Sequence, residues 1–333
     1  MFNGMNNILF LIFVFCLWNV LCSPHSHNKV DRTKEVEDGV YNSRDHIHYQ
    51  NGEHHSEFDH EAILGSHNTA EEFDHLSPEE AKRRLKLLAH KMDKNHDTYI
   101  DRKELIEWVL MSFKTLTEEE ALEQLEDEDG DEDGKISWQE HVAETYGIYK
   151  DDDLLFDSTE SSSEYKMLKN DQELFKVADL NNDGILDKSE FPAFSHPEEF
   201  EHMHQIVYEQ AMEKRDKDKD GYLSFDEFIA DSYGAPPIPT SEHYIVEKDR
   251  FVNDFDQDKD GKLNREEVLL WLIPNNIEMA ENEADHLIES SDGDNDGKLS
   301  IQEITDHHDI FVGSEATDFG EHLHNSHKFS DEL

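Results

Sequence analysis

DKDKDGYLSFDE, residues 216–227, packs five carboxylates into twelve positions, three of them alternating immediately before a glycine. Carboxylates a few ångströms apart repel, and water and salt screen the repulsion only in part, so the segment calls for a cation. A hard divalent ion takes oxygen ligands from positions 1, 3, 5, 7, 9 and 12 of such a loop, the seventh through its backbone carbonyl and the twelfth bidentately, around a turn at position 6. Those places hold Asp216, Asp218, Asp220, Tyr222, Ser224 and Glu227, with Gly221 at the turn and apolar Leu223 at position 8.

This is the grammar of an EF-hand calcium loop, and it recurs five more times along the chain. The first loop has Asp93, Asn95, Asp97, Tyr99 (carbonyl), Asp101 and Glu104. The second has Asp129, Asp131, Asp133, Lys135 (carbonyl), Ser137 and Glu140, and the third Asp179, Asn181, Asp183, Ile185 (carbonyl), Asp187 and Glu190. The quoted stretch is the fourth. The fifth has Asp256, Asp258, Asp260, Lys262 (carbonyl), Asn264 and Glu267, and the sixth Asp292, Asp294, Asp296, Lys298 (carbonyl), Ser300 and Glu303. An acidic chain matches an acidic motif now and then by accident, but six matches at six specified positions exclude accident. Glycine fills position 6 in every loop except the first, where Thr98 stands.

Position 8 is apolar throughout (Ile100, Ile136, Leu186, Leu223, Leu263, Leu299), as a short strand joining two loops back to back requires. Four residues before each loop Ala89, Leu125, Phe175, Met212, Val252 and Ile288 mark the inward face of an entering helix. The expected fold is therefore all-α, six helix-loop-helix units in three paired lobes, with short strand pairing between loops. Loop starts at 93, 129, 179, 216, 256 and 292 leave intervals of 36, 50, 37, 40 and 36 residues. The shorter intervals pair first with second, third with fourth and fifth with sixth, giving lobes at 77–150, 166–232 and 244–312. Segments 151–165, acidic and Ser-rich, and 233–243, Pro-rich, read as linkers.

Composition narrows the function classes. With 30 basic and 80 acidic side chains in 333 residues, the net charge is −50; nucleic acid and anionic lipid are repelled and cations attracted. Residues 1–22, with the apolar run ILFLIFVFCLWNVLC at 8–22, resemble a secretory signal peptide, and that run of fifteen residues containing Asn19 is short for a bilayer span; no stable membrane insertion is expected after cleavage. Both cysteines, Cys16 and Cys22, lie in that segment, so the mature chain has no disulfide or thiolate chemistry. Residues 23–76 contain nine histidines and few large apolar residues. They read as a solvated, disordered arm; a zinc-binding or pH-sensing role for the histidines is the competing reading. The tail 313–333 ends Ser330, Asp331, Glu332, Leu333, one substitution from the KDEL and HDEL retrieval signals.

The stretches IVEKDRFVNDFDQDKDGKL (245–263), WLIPNN (271–276) and GSEATDFGEHLH (313–324), together with six EF-hands and a DEL ending, resemble the reticulocalbin and calumenin family. The resemblance runs from about residue 77 to the end and leaves the His-rich arm uncovered. It implies a calcium-binding protein of the secretory-pathway lumen with low-affinity sites, client proteins and a retrieval receptor among its partners. Thr98 and Ser330 depart from its pattern, which has glycine and a basic residue there. No catalytic domain fits beside the six units, and neither a P-loop nor a G-x-S-x-G elbow occurs. The expectation is a non-enzymatic luminal calcium binder holding up to six ions. The rivals are a calcium-triggered sensor, which would expose a Met-rich groove, and a secreted calcium binder if the tail is not retrieved.

Overall fold

The computed structural model describes residues 41–45, 48–50, 53–147, 163–230 and 242–312. The signal-like segment, the retrieval-like tail and most of both expected linkers lie outside the described residues. Residues 163–165 of the first linker belong to the helix Ser163–Ala178.

Each loop sits between helices because its own sequence ends one and starts the next. The Asp at position 1 follows directly on the entering helix. The residue at position 9 caps the exiting one: the side chains of Asp101, Ser137, Asn264 and Ser300 accept from the backbone N–H of Glu104, Glu140, Glu267 and Glu303, and each Glu side chain accepts from its capping residue's own N–H in return. One residue thus serves both a helix cap and a ligand position.

The three expected strand pairs form, but between different partners. Strand β3 (Tyr99–Asp101) of the first hand pairs with β8 (Lys298–Ser300) of the sixth. β4 (Ile136–Ser137) of the second pairs with β5 (Ile185–Leu186) of the third, and β6 (Leu223–Ser224) of the fourth with β7 (Lys262–Leu263) of the fifth. At each junction the two position-8 side chains face one another, Ile100 with Leu299, Ile136 with Leu186 and Leu223 with Leu263, all of them 0% exposed.

The lobes expected at 77–150, 166–232 and 244–312 are therefore corrected by one hand. The cause is helix α4 (Arg102–Glu128), 27 residues without a Gly or Pro, which is at once the exit of hand one and the entry to hand two. At 1.5 Å per residue it separates its two loops by about 40 Å, so they cannot stand back to back. Hand two pairs forward instead, and along the sequence both composition-based linkers come between hands that are strand-paired with each other.

Each pair owns a core. Leu85, Ala89, Met92, Leu105, Leu287 and Ile304 fill that of hands one and six, Leu125, Phe175, Phe191 and Met203 that of two and three, and Val207, Phe228, Phe251 and Leu272 that of four and five. Four of the six residues expected on the inward faces of entering helices, Ala89, Leu125, Phe175 and Met212, are buried, and Ile288 packs partly buried. Val252 is exposed, because residues Phe251–Phe255 are wound as a π-turn with Asp256 N–H donating to the Phe251 carbonyl. The extra residue per turn brings Phe251, 0% exposed, to the place Val252 was expected to fill.

The second correction concerns the arm. Where it is described, it is folded: β1 (Tyr49–Gln50) and β2 (Glu53–His54) form an antiparallel hairpin, followed by α1 (Glu57–Leu64) and α2 (His67–Asp74). Phe58 and Ala62 of α1 enter a fourth apolar cluster with Val109, Phe113 and Leu116 of α4 and with Met279 and Ala280 of α12 (Asn276–Ser291). The Trp108 indole N–H donates to the Ile63 carbonyl at 2.8 Å. The arm's few apolar residues suffice because they add to a face already presented by the hands. Among the described residues, no helix is long and apolar enough to cross a membrane.

Candidate functional site

In all six loops the backbone is bent the same way. The residue at position 4 (His96, Glu132, Asn182, Lys219, Lys259, Asn295) is left-handed with φ between 59° and 62°, and position 6 is left-handed with φ between 72° and 88°. Thr98 adopts that geometry at φ 72° although it is β-branched, a conformation costing about 1–2 kcal/mol in a residue with a Cβ. The turn aims backbone donors inward: the position-6 N–H donates to the position-1 carboxylate at 2.7–3.0 Å in every loop. The position-7 N–H donates to the position-5 carboxylate at 2.8–3.0 Å. The position-9 N–H donates to the position-12 glutamate at 2.8–3.3 Å. These bonds hold each carboxylate in place and leave its remaining lone pairs converging on the loop centre.

The convergence is direct in four loops. One carboxylate oxygen from each of positions 1, 3 and 12 lies within 4.8 Å of the others in the sets Asp129, Asp131, Glu140; Asp216, Asp218, Glu227; Asp256, Asp258, Glu267; and Asp292, Asp294, Glu303. In loops one and three position 3 is Asn95 or Asn181, whose amide oxygen accepts from the backbone N–H of Asp97 or Asp183 at 2.8 Å, in the same turn. Three hard anionic oxygens about one point fit Ca²⁺ and are a poor match for soft metals.

The electrostatics carry the same message. In loop two the Asp133 charge, with burial and Glu140, raises the pKa of Asp131; in loop six burial, then the Asp296 charge, raises Asp294. Two loops have a ligand carboxylate in direct contact with a lysine of the partner loop. Lys262, at position 7 of loop five, donates to Asp220 of loop four and lowers its pKa. Asp97 of loop one is lowered first by the Tyr99 N–H and then, against burial, by Lys298 of loop six, 3.2 Å away. For Glu227 and Glu303 burial works in the opposite sense, but hydrogen bonds from Ser224 and Ser300 keep both below the usual carboxylate range. Sequence reading took the position-7 residues for their carbonyls and missed that Lys262 and Lys298 reach across the strand pair. It also missed the left-handed residue at position 4, whose side chains, apart from the asparagines, give no sign of it.

Fold and loops together define a multi-EF-hand, calcium-binding protein. A family model described as an EF-hand domain pair matches residues 169–232, and another, described as an EF hand, matches 252–269. The first match spans hands three and four, neighbours in sequence although each is strand-paired elsewhere. Reticulocalbin-2 of Crotalus adamanteus is 40% identical over 285 residues, covering 85% of this chain and 93% of its own. Reticulocalbin-2 of Mus musculus and of Rattus norvegicus are each 39% identical over 290 residues, 86% of this chain and 91% of theirs. The chain belongs to the reticulocalbin family.

Proposed function

We propose that the protein is a non-enzymatic, low-affinity calcium binder of the endoplasmic reticulum lumen, taking up to six ions and coupling their binding to the packing of its hands while it buffers calcium or holds secretory-pathway clients. The observation that carries this reading is the sixfold recurrence of one backbone turn, with carboxylate oxygens of positions 1, 3 and 12 drawn together in four of the loops. Family membership supports the luminal address, as do the signal-like 1–22 and the ending Ser330, Asp331, Glu332, Leu333. The lysines beside Asp97 and Asp220 support low affinity, since each places a positive charge next to a carboxylate wanted by the ion.

In this reading Asp93, Asn95, Asp97, Asp101 and Glu104, with the Tyr99 carbonyl, hold one ion, and the corresponding residues of the other five loops hold the rest. The carboxylates serve as ligands and not as acid or base, because the metal keeps them ionised. Calorimetric titration of the chelator-treated chain is expected to give close to six ions, with a gain of helical circular dichroism between chelator and millimolar calcium. Two or fewer ions bound, or spectra and urea midpoints that calcium leaves unchanged, defeats the proposal. The address is read separately, as export of a chain lacking residues 330–333 against retention of the intact one.

A further inference from the structure

Away from the six loops, four side chains from three elements meet at one point. His48 immediately precedes β1 and His54 ends β2 of the hairpin, in which Tyr49 pairs with His54 and the His55 N–H donates to the His48 carbonyl at 2.9 Å. Asp59 lies in the first turn of α1, and His286 comes from α12, the entering helix of hand six, 227 positions further along the chain. One ligand atom from each lies within 4.8 Å of the other three. The His48 Nε2 is 2.7 Å from Asp59 Oδ1 and 2.9 Å from His54 Nε2; Asp59 Oδ2 is 3.1 Å from His54 Nε2 and 3.7 Å from His286 Nε2.

We propose that His48, His54, Asp59 and His286 form a binding site for Zn²⁺, distinct from the calcium loops. Three imidazole nitrogens and one carboxylate make a four-donor set that suits zinc and not calcium. Ligands 2.0–2.1 Å from a tetrahedral ion lie about 3.3 Å from one another; the four separations just given, 2.7 to 3.7 Å, bracket that value, and the remaining pairs lie within 4.8 Å. Asp59 is 0% exposed, yet neither of its oxygens receives an aligned hydrogen bond, and His286 Nε2 has none either. A buried carboxylate left in that state is costly, and a cation at the shared focus resolves it. Phe58 lies against the His48 ring, centroids 4.9 Å apart, and Tyr49 against that of His54 at 5.1 Å, so aromatic rings flank the cluster. One turn before His286, Glu283 is 1% exposed with both carboxylate oxygens unbonded, placing a further oxygen donor on the same helix. The competing account is a proton shared among the four groups, which needs no metal.

Bound zinc ties the hairpin and α1 to hand six, so the cluster joins the arm to the pair that closes the chain. The test uses the full chain loaded with calcium and zinc chloride as the only added transition metal. Equilibrium dialysis with metal analysis is expected to find one tightly held zinc per chain. The double variant His54→Ala, His286→Ala is expected to lose at least about 100-fold in zinc affinity while keeping the calcium-loaded circular dichroism spectrum. As a readout independent of that variant's folding, the wild-type chain is also titrated with Co²⁺, for which a four-donor site gives the intense visible bands of tetrahedral cobalt. Zinc uptake unchanged in the double variant, uptake abolished instead by glutamine at the position-12 glutamates, absence of uptake, or a cobalt spectrum of weak octahedral bands would each overturn the assignment.

Discussion

Hands four and five and hands one and six are joined by the same device, two short strands with a buried position-8 pair, yet they are assembled differently. The first pair begins at residues 216 and 256 and builds its core almost wholly from its own helices, with Tyr41 and Trp271 packed at the edge. The second begins at 93 and 292 and takes Ile63 and Phe73 from the arm into its core. Closing the longer span costs at most about 1.4 kcal/mol more in chain entropy, since the cost grows only with the logarithm of length. Sequence distance is thus a weak obstacle. What distinguishes the closing pair is that arm residues, Ile63 and Phe73, are buried members of its core, whereas the arm's Tyr41 only packs against the edge of the other.

That contrast is easiest to break at the junctions. Leu299→Ala and Leu263→Ala each remove a fully buried side chain from an equivalent position and are expected to cost about 2–5 kcal/mol. Their reach should differ. In calcium, hydrogen exchange at residues 57–74 should accelerate strongly in Leu299→Ala and stay near wild type in Leu263→Ala. Equal responses in the arm would show that the closing pair does not depend on it.

A smaller effect comes from His67, which joins α1 and α2 to α4. Its ring nitrogens lie 2.5 Å from Glu61 and 2.9 Å from Glu120. Burial disfavours the imidazolium, but these two carboxylates, Glu120 first, raise its pKa from 6.5 to about 9. Raised in the fold, the group adds stability that is complete below about pH 6.5 and lost as pH climbs through 9. With its ring about a quarter exposed, about 2 kcal/mol is at stake. Thermal melts should show wild type falling toward His67→Gln between pH 6.5 and 9.5; parallel curves would remove His67 from the account of the arm.

The smallest expected effect sharpens the comparison within the closing pair. Thr98→Gly relieves about 1–2 kcal/mol of left-handed strain, near tenfold in an equilibrium constant. The gain appears as calcium affinity of the first loop if that loop orders on binding, and as a higher melting temperature in calcium-free buffer if it is already ordered. No change in either quantity defeats the strain argument, and Gly297→Thr in the partner loop should produce the converse loss.

What could be read from the sequence follows how local each determinant is. Ligand positions, turn residues and the apolar position 8 lie within twelve residues and are fixed by covalent spacing. Partner choice does not: the short intervals of 36, 37 and 36 suggest pairing yet separate hands that are not strand-paired, while 50 and 40 separate hands that are. The decisive sign was an absence: no Gly or Pro interrupts 102–128, so hand one runs into hand two as one helix. The arm was illegible for another reason. Phe58 and Ala62 are too few to announce a core, and their burial depends on Val109, Phe113 and Met279, residues distant in the chain. His286 was hidden by the same distance from His48 and His54.

The long helix α4 also has an uneven electrical character along its axis. Backbone dipoles give its carboxyl end a partial negative charge, and that end carries Glu126, Asp127 and Glu128 with no basic residue in its last turn, followed at once by the carboxylates of loop two. His141, 2.8 Å from Glu128, offsets part of this excess. A dication in loop two offsets far more, so its arrival should stop the last turn of α4 from fraying and fix where the rod ends. On the proposed calcium-binding reading, an ion at the second hand would then set the effective length of the element that keeps the first and second hands apart.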